Sequence, residues 1–207
     1  MGMTDLTAII ERVRAVEHGF GPIKSEARRL VGEKTASESL LIAKELLESE
    51  HYQVRMLATF MLGMIADKSA EAFAILLETV SMDPDWWVQE VLAKAFDQYC
   101  TNEGYAPVLP VIEQWLEHTN PNVRRAAVEG PRIWTTRPFF RENPQRAVAL
   151  LSTLKSDESE YVRKSVGNAL RDISRKHAEL VRGELATWDL SDERTAFTYR
   201  LAARFLV

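Results

Sequence analysis

This chain is short of the residues from which most recognisable sites are built. A single cysteine, Cys100, among 207 residues excludes an intramolecular disulfide framework and a cysteine-based metal site. Cys100 ends an apolar run and reads as packing. The four histidines, His18, His51, His118 and His177, are scattered without metal-ligand spacing, so neither a metal nor a cofactor is expected. No apolar stretch approaches the roughly 18 residues that suggest a membrane span. The start, "MGMTDLTAIIERV", turns charged at once where a secretory signal would run apolar. A cytoplasmic protein with no membrane contact is the expectation. Gly-rich phosphate loops, HExxH and GxSxG are missing. So are alternating β-branched runs and Asn-Gly hairpins, which leaves little room for strands.

What remains is a helical periodicity over nearly the whole length. The composition, 46% hydrophobic and 27% charged, suits a folded chain that buries a sizeable core. Twelve helices are expected, from 4–18 through 84–99, 104–118, 121–134, 142–154 and 158–175 to 191–206. Turn and cap signals such as "MDPD", "TNEG", "TNPN", "RENP" and "KSDESE" punctuate them. Four helices share a pattern: "HYQVRMLATFML", "DWWVQEVLAKAF", "NPNVRRAAVEGP" and "SEYVRKSVGNAL". Aligned on Val54, Val88, Val123 and Val162, the intervals are 34, 35 and 39 residues. Two antiparallel helices per repeat of that length form an α-solenoid, because each pair buries its apolar face only by stacking on its neighbours. The expected fold is all-α: a right-handed solenoid of about six HEAT or armadillo-like helix pairs, a single domain over 1–207.

Charge is unevenly spread. The whole chain carries −4, yet Thr119 to Lys176 holds twelve Lys and Arg against six Asp and Glu. That local excess of six positive charges leaves ten negative ones elsewhere. In a solenoid the second helices of successive pairs line one surface, so equivalent positions form rows. Counting from the aligned valines gives the rows Met56, Glu90, Arg125, Lys164; Phe60, Lys94, Glu129, Asn168; and Gly63, Asp97, Arg132, Arg171. They turn from apolar to polar along the chain. A basic concave groove would suit a polyanion, with Arg124, Arg125, Arg132, Arg163, Lys164, Asn168, Arg171 and Arg175 meeting phosphates. Trp86, Trp87, Trp134 and Tyr161 interleave and could stack on bases or sugars. The alternative for Arg124 and Arg163 is an interhelix salt bridge, and for any one tryptophan it is the core. Trp115 and Trp188 read as packing. At Gly130-Pro131 the helix is expected to end or kink, releasing Arg132 and Trp134 toward the groove.

"VRRAAVEG" and "SEYVRKSVGNALRDISRKHAELV" resemble the DNA alkylation repair family, the alkylpurine DNA glycosylases built from HEAT-like repeats. The resemblance is strongest over 120–188 and extends more weakly through "DPDWWVQEVLAKAF". It implies a DNA-binding repair protein, monomeric, acting on double-stranded DNA by excising positively charged N3- or N7-alkylated purines. It implies a groove carboxylate that stabilises the oxocarbenium-like sugar: Glu90 first, with Glu129 and Asp172 as rivals. The corresponding salt-bridge readings are Glu90 with Lys94, Glu129 with Arg125, and Asp172 with Asn168 or Lys176. Two other functions remain open at this point, a non-catalytic binder of damaged or branched DNA and a HEAT-type protein scaffold.

Overall fold

A computed structural model describes residues 6–206, and among these the chain is helical throughout, with thirteen α-helices and no strand. The all-α class of HEAT-like helix pairs is the one the chain adopts. Residues 4 and 5 of the first expected helix lie outside the described residues. The chain divides into two compact units, Met1–Asn102 and Glu103–Val207.

The first unit holds α1 (Leu6–Arg14), α2 (Gly21–Gly32), α3 (Ala36–Leu47), α4 (Tyr52–Ile65), α5 (Ala70–Glu78) and α6 (Trp86–Glu103). Its core is built on α4, which packs against α1, α2, α3 and α5. That is why "HYQVRMLATFML" is apolar on nearly every side: Val54, Met56, Leu57, Phe60, Met61, Leu62 and Ile65 are all buried. Gly63 belongs to the same logic. A Cβ there would sit 2.5 Å from the Ala95 Cα of α6, so two helix backbones meet at a distance only glycine allows. Gly63→Ala is expected to cost about 1–3 kcal/mol, the usual penalty of overpacking a tight contact. An unchanged thermal melt would mean that α6 yields freely.

The second unit holds α7 (Leu109–Leu116), α8 (Pro121–Glu129), α9 (Pro138–Glu142), α10 (Pro144–Ser152), α11 (Glu160–Ser174), α12 (Ala178–Leu185) and α13 (Glu193–Ala202). Here α11 is central, against α8, α10, α12 and α13. Asn120 caps α8 through the Asn122 N–H, with Pro121 in the first turn. The helix stops at Glu129, five residues short of the expected 134, because Pro131 brings no N–H. The chain then turns through Trp134–Thr136 into α9, a five-residue helix that was not expected. Trp134 does not emerge from this turn. It is fully buried, its ring lies 4.8 Å from Phe140, and its indole N–H donates to the Val128 carbonyl at 2.9 Å.

The arginine after two of the aligned valines, Val54 and Val123, has the same task. Arg55 on α4 donates through Nε and Nη2 to both oxygens of Asp83, at 2.6 and 3.1 Å, and through Nη1 to the Ser49 and Glu50 carbonyls. Arg124 on α8 does the same to Asp157, at 2.6 and 2.8 Å, and to the His118 and Thr119 carbonyls. Each aspartate stands three residues before the next helix and accepts an N–H two residues on, from Asp85 or Ser159. Each arginine therefore clasps its own helix start to the start of a later helix.

Candidate nucleic-acid interface

The clasp decides part of the candidate set. Arg124 has its guanidinium on Asp157 and two carbonyls, and the pair is largely removed from water. Arg163 directs Nη1 to the carbonyls of Asp157 and Glu158 and lies 5.3 Å over the Phe197 ring. Arg124 is thereby corrected from a phosphate contact to the interhelix salt bridge also weighed for it, whereas Arg163 is held by two carbonyls and a ring without a carboxylate among the described residues. Trp134 is corrected as well, since a fully buried indole presents no face to a base. Arg125 is also buried, at 6% exposure on α8.

A stripe of α11 stays at the surface of the second unit. Tyr161, Lys164, Asn168, Arg171 and Arg175 recur three or four residues apart, and Tyr161, Lys164 and Arg175 are exposed. Lys164 pairs with Glu160 at 2.7 Å, one turn back. That contact raises the pKa of the lysine and lowers that of the glutamate. Arg175 and Arg171 lie over the ring of Phe205, at 4.6 and 5.6 Å. Phe205 carried no sequence signal.

Two of the three candidate acids meet at one end of this stripe. Arg132, in the turn after α8, donates Nε and Nη2 to Asp172 at 2.9 and 2.8 Å and Nη1 to Glu129 at 3.3 Å. Arg171 adds a contact to Asp172 at 3.2 Å. Glu129 and Asp172 thus share Arg132, and neither takes the partner that helical spacing suggested. Burial alone would lower the Arg132 pKa; the hydrogen bond to Asp172 and the charges of Glu129 and Asp172 outweigh it and hold the pKa raised. Two acids and two arginines make this cluster neutral and ionic, a fixed electrostatic corner of the unit.

The third acid, Glu90, lies on α6 in the first unit and is half-buried. Trp86 and Trp87 precede it by four and three residues, so both adjoin it on the helix surface. They are 46% and 39% exposed. Trp87 meets the Phe20 ring edge-on at 5.6 Å, and Lys94 lies 4.7 Å over the other partner of that contact, Phe20. The early row positions Met56 and Phe60 are buried, with Lys24 5.9 Å over the Phe60 ring. Burial first, then Arg28 and Lys94, lower the Lys24 pKa against the opposing charge of Asp97. Trp115 and Trp188 are buried as expected. Among the described residues there is no cluster of metal-ligating side chains and no helix long and apolar enough to cross a membrane.

Comparison with known proteins adds to this geometry. The sequence profile of a family described as DNA alkylation repair enzyme matches residues 17–205. The crystal structure of AlkD2 from Streptococcus mutans superposes with a TM-score of 0.95 at 43% identity, covering 97% of each chain. YhaZ, an uncharacterised protein of Bacillus subtilis, is 35% identical over 135 residues, which is 58% of this chain and 38% of that protein. The chain thus matches well under half the length of this curated relative. AlkC of Pseudomonas fluorescens, an alkylpurine DNA glycosylase solved with DNA containing an abasic-site analogue, aligns with a TM-score of 0.53 at 24% identity, covering 99% of this chain and 65% of that one. At that identity the likeness is one of fold.

Proposed function

The chain belongs to the DNA alkylation repair enzyme family, and from that premise we propose that it binds DNA and excises positively charged alkylated purines. The observation that carries the reading is on α6, where two exposed indoles stand one helical turn before the half-buried Glu90. An indole face attracts a cationic purine, and a carboxylate beside it favours positive charge developing on the sugar. The alkylated base already carries its charge, so it departs with the bonding electrons as a neutral purine and needs no strong acid. Water then adds to the oxocarbenium-like carbon, and Glu90 accepts its proton. The products are the released base and an abasic sugar. Glu129 and Asp172 are both held by Arg132, at 3.3 and 2.8 Å. Lys164 and Arg175 on α11 contribute positive charge for phosphates.

The second reading is a DNA binder without excision, and the shared arginine favours it, since Glu129 and Asp172 are held in ion pairs. Base release from DNA premethylated with a simple methylating agent separates the two. Release by the wild-type protein supports excision; binding without release supports the second reading; no binding at physiological salt leaves a protein scaffold. The phosphate role has its own measurement. Lys164 is exposed, so Lys164→Ala leaves the fold intact, weakens binding to all sequences alike, and lowers the slope of log affinity against log salt by about 0.9. An unchanged slope would remove Lys164 from the interface.

A further inference from the structure

The arginine clasp occurs three times in kind but is completed only twice. Arg55 and Arg124 each hold two carbonyls through Nη1 and a carboxylate through Nε and Nη2. Arg163 on α11 holds the matching two carbonyls, those of Asp157 and Glu158. Its Nε is buried and, among the described residues, has no hydrogen-bond partner. The position that should complete it is identifiable. Asp83 and Asp157 stand three residues before α6 and α11, and the residue three before α13 is Leu190. Its neighbour Asp189 makes the same local turn, accepting from the Ser191 N–H at 2.9 Å. Its carboxylate is exposed, with the Ser191 hydroxyl and N–H as its hydrogen-bond partners.

Beside the incomplete clasp lies a cleft that Arg163 helps to line. Arg163, Leu190, Arg194, Phe197 and Arg200 line it, with Glu193 and Ala196. Leu190 is 45% exposed, an apolar side chain left in water beside a guanidinium that its two counterparts close with aspartate. Arg194 and Arg200 are exposed and add positive charge. On α11, Arg163 is turned well away from the stripe of Lys164, Asn168 and Arg175, by about a third of a turn from the middle of that stripe at 100° per residue. The cleft is therefore separate from the proposed phosphate surface.

We propose that this cleft is a docking seat for a protein partner that offers a side-chain carboxylate to Arg163. The occupant's chemistry follows from the two filled counterparts, which both hold an aspartate at the start of a helix in bidentate geometry. The flanking arginines favour an acidic segment. Leu190 and Phe197 favour one with apolar side chains to bury, which a DNA backbone lacks.

The test uses the full chain, a short acidic peptide (acetyl-Asp-Glu-Asp-Glu-amide) and a short unmodified DNA duplex, with the Arg163 Nε–H resonance followed by NMR. The peptide is expected to shift that resonance. Leu190→Asp is expected to fill the seat from within, raise the melting temperature, and weaken peptide binding by about tenfold or more. Arg163→Lys, which keeps the charge but loses the fork, is expected to weaken it as well. The proposal is overturned by a resonance indifferent to the peptide, by a Leu190→Asp variant that melts lower or binds the peptide as the wild type does, or by the duplex alone shifting the resonance.

Discussion

Asp157→Ala is expected to lower the melting temperature by roughly 6–20 °C. The figure follows from about 3–5 kcal/mol for removing one partner of a buried ion pair, at about 2–4 °C per kcal/mol for a chain of this size. Asp157 is 5% exposed in its side chain and Arg124 14%, so water cannot replace what is lost. The substitution strands the Nε and Nη2 of Arg124, and it also removes the acceptor for the Ser159 N–H that starts α11. Asp157→Asn separates the two losses. An amide oxygen still accepts from Ser159 but cannot neutralise the guanidinium, so this variant should melt between the alanine variant and the wild type. Thermal melting followed by far-ultraviolet circular dichroism measures both. A drop below about 2 °C for alanine would show that the clasp is relaxed in solution and that helix packing alone holds α8 and α11 together.

Glu90→Gln is expected to slow base release from methylated DNA by about 10²–10³-fold, the range seen when one group aimed at a transition-state charge is removed. Glutamine keeps the shape and the α6 packing but offers no negative charge and accepts no proton. DNA affinity should stay close to that of the wild type, because a neutralised acid lowers rate without removing a phosphate contact. Glu129→Gln and Asp172→Asn should instead act through Arg132, with lower stability and a smaller effect on rate. If Asp172→Asn alone stopped release while Glu90→Gln did not, the catalytic role would pass to Asp172 and its clamp by Arg132 would have to open during the reaction.

Much of the helical order can be read from the residues because helices are local. The valine-centred repeat is periodic at the spacing that buries one face, and Asn120, Pro121 and Pro131 mark where α8 starts and stops. Contacts between helices follow no such rule. Arg132 reaches Asp172 across 40 residues, while helical spacing offers only partners three or four positions away. The fate of Trp134 was hidden for a related reason. Ending α8 at Pro131 does turn the chain, as expected, but the direction of the turn depends on Phe140, in a five-residue helix too short to display a period. The clasp was half visible. Arginine after the valine suggested a salt bridge, yet its partner became identifiable only once "MDPD" and "KSDESE" were seen to place an aspartate at the same offset from a helix start.

The same clasp explains an irregular length. The third repeat interval is 39 residues where the first is 34. Arg124 and Asp157 are 33 residues apart where Arg55 and Asp83 are 28. Both differences equal the five residues of α9. The longer stretch holds the short helix α9, and the clasp spans it with the same set of bonds. The arginine and the aspartate fix where a repeat begins and where the next one starts, while the chain between them is at liberty to grow. The stretch around α9 is accordingly where this architecture can acquire length, and with it new surface, without renegotiating the joints that hold it together.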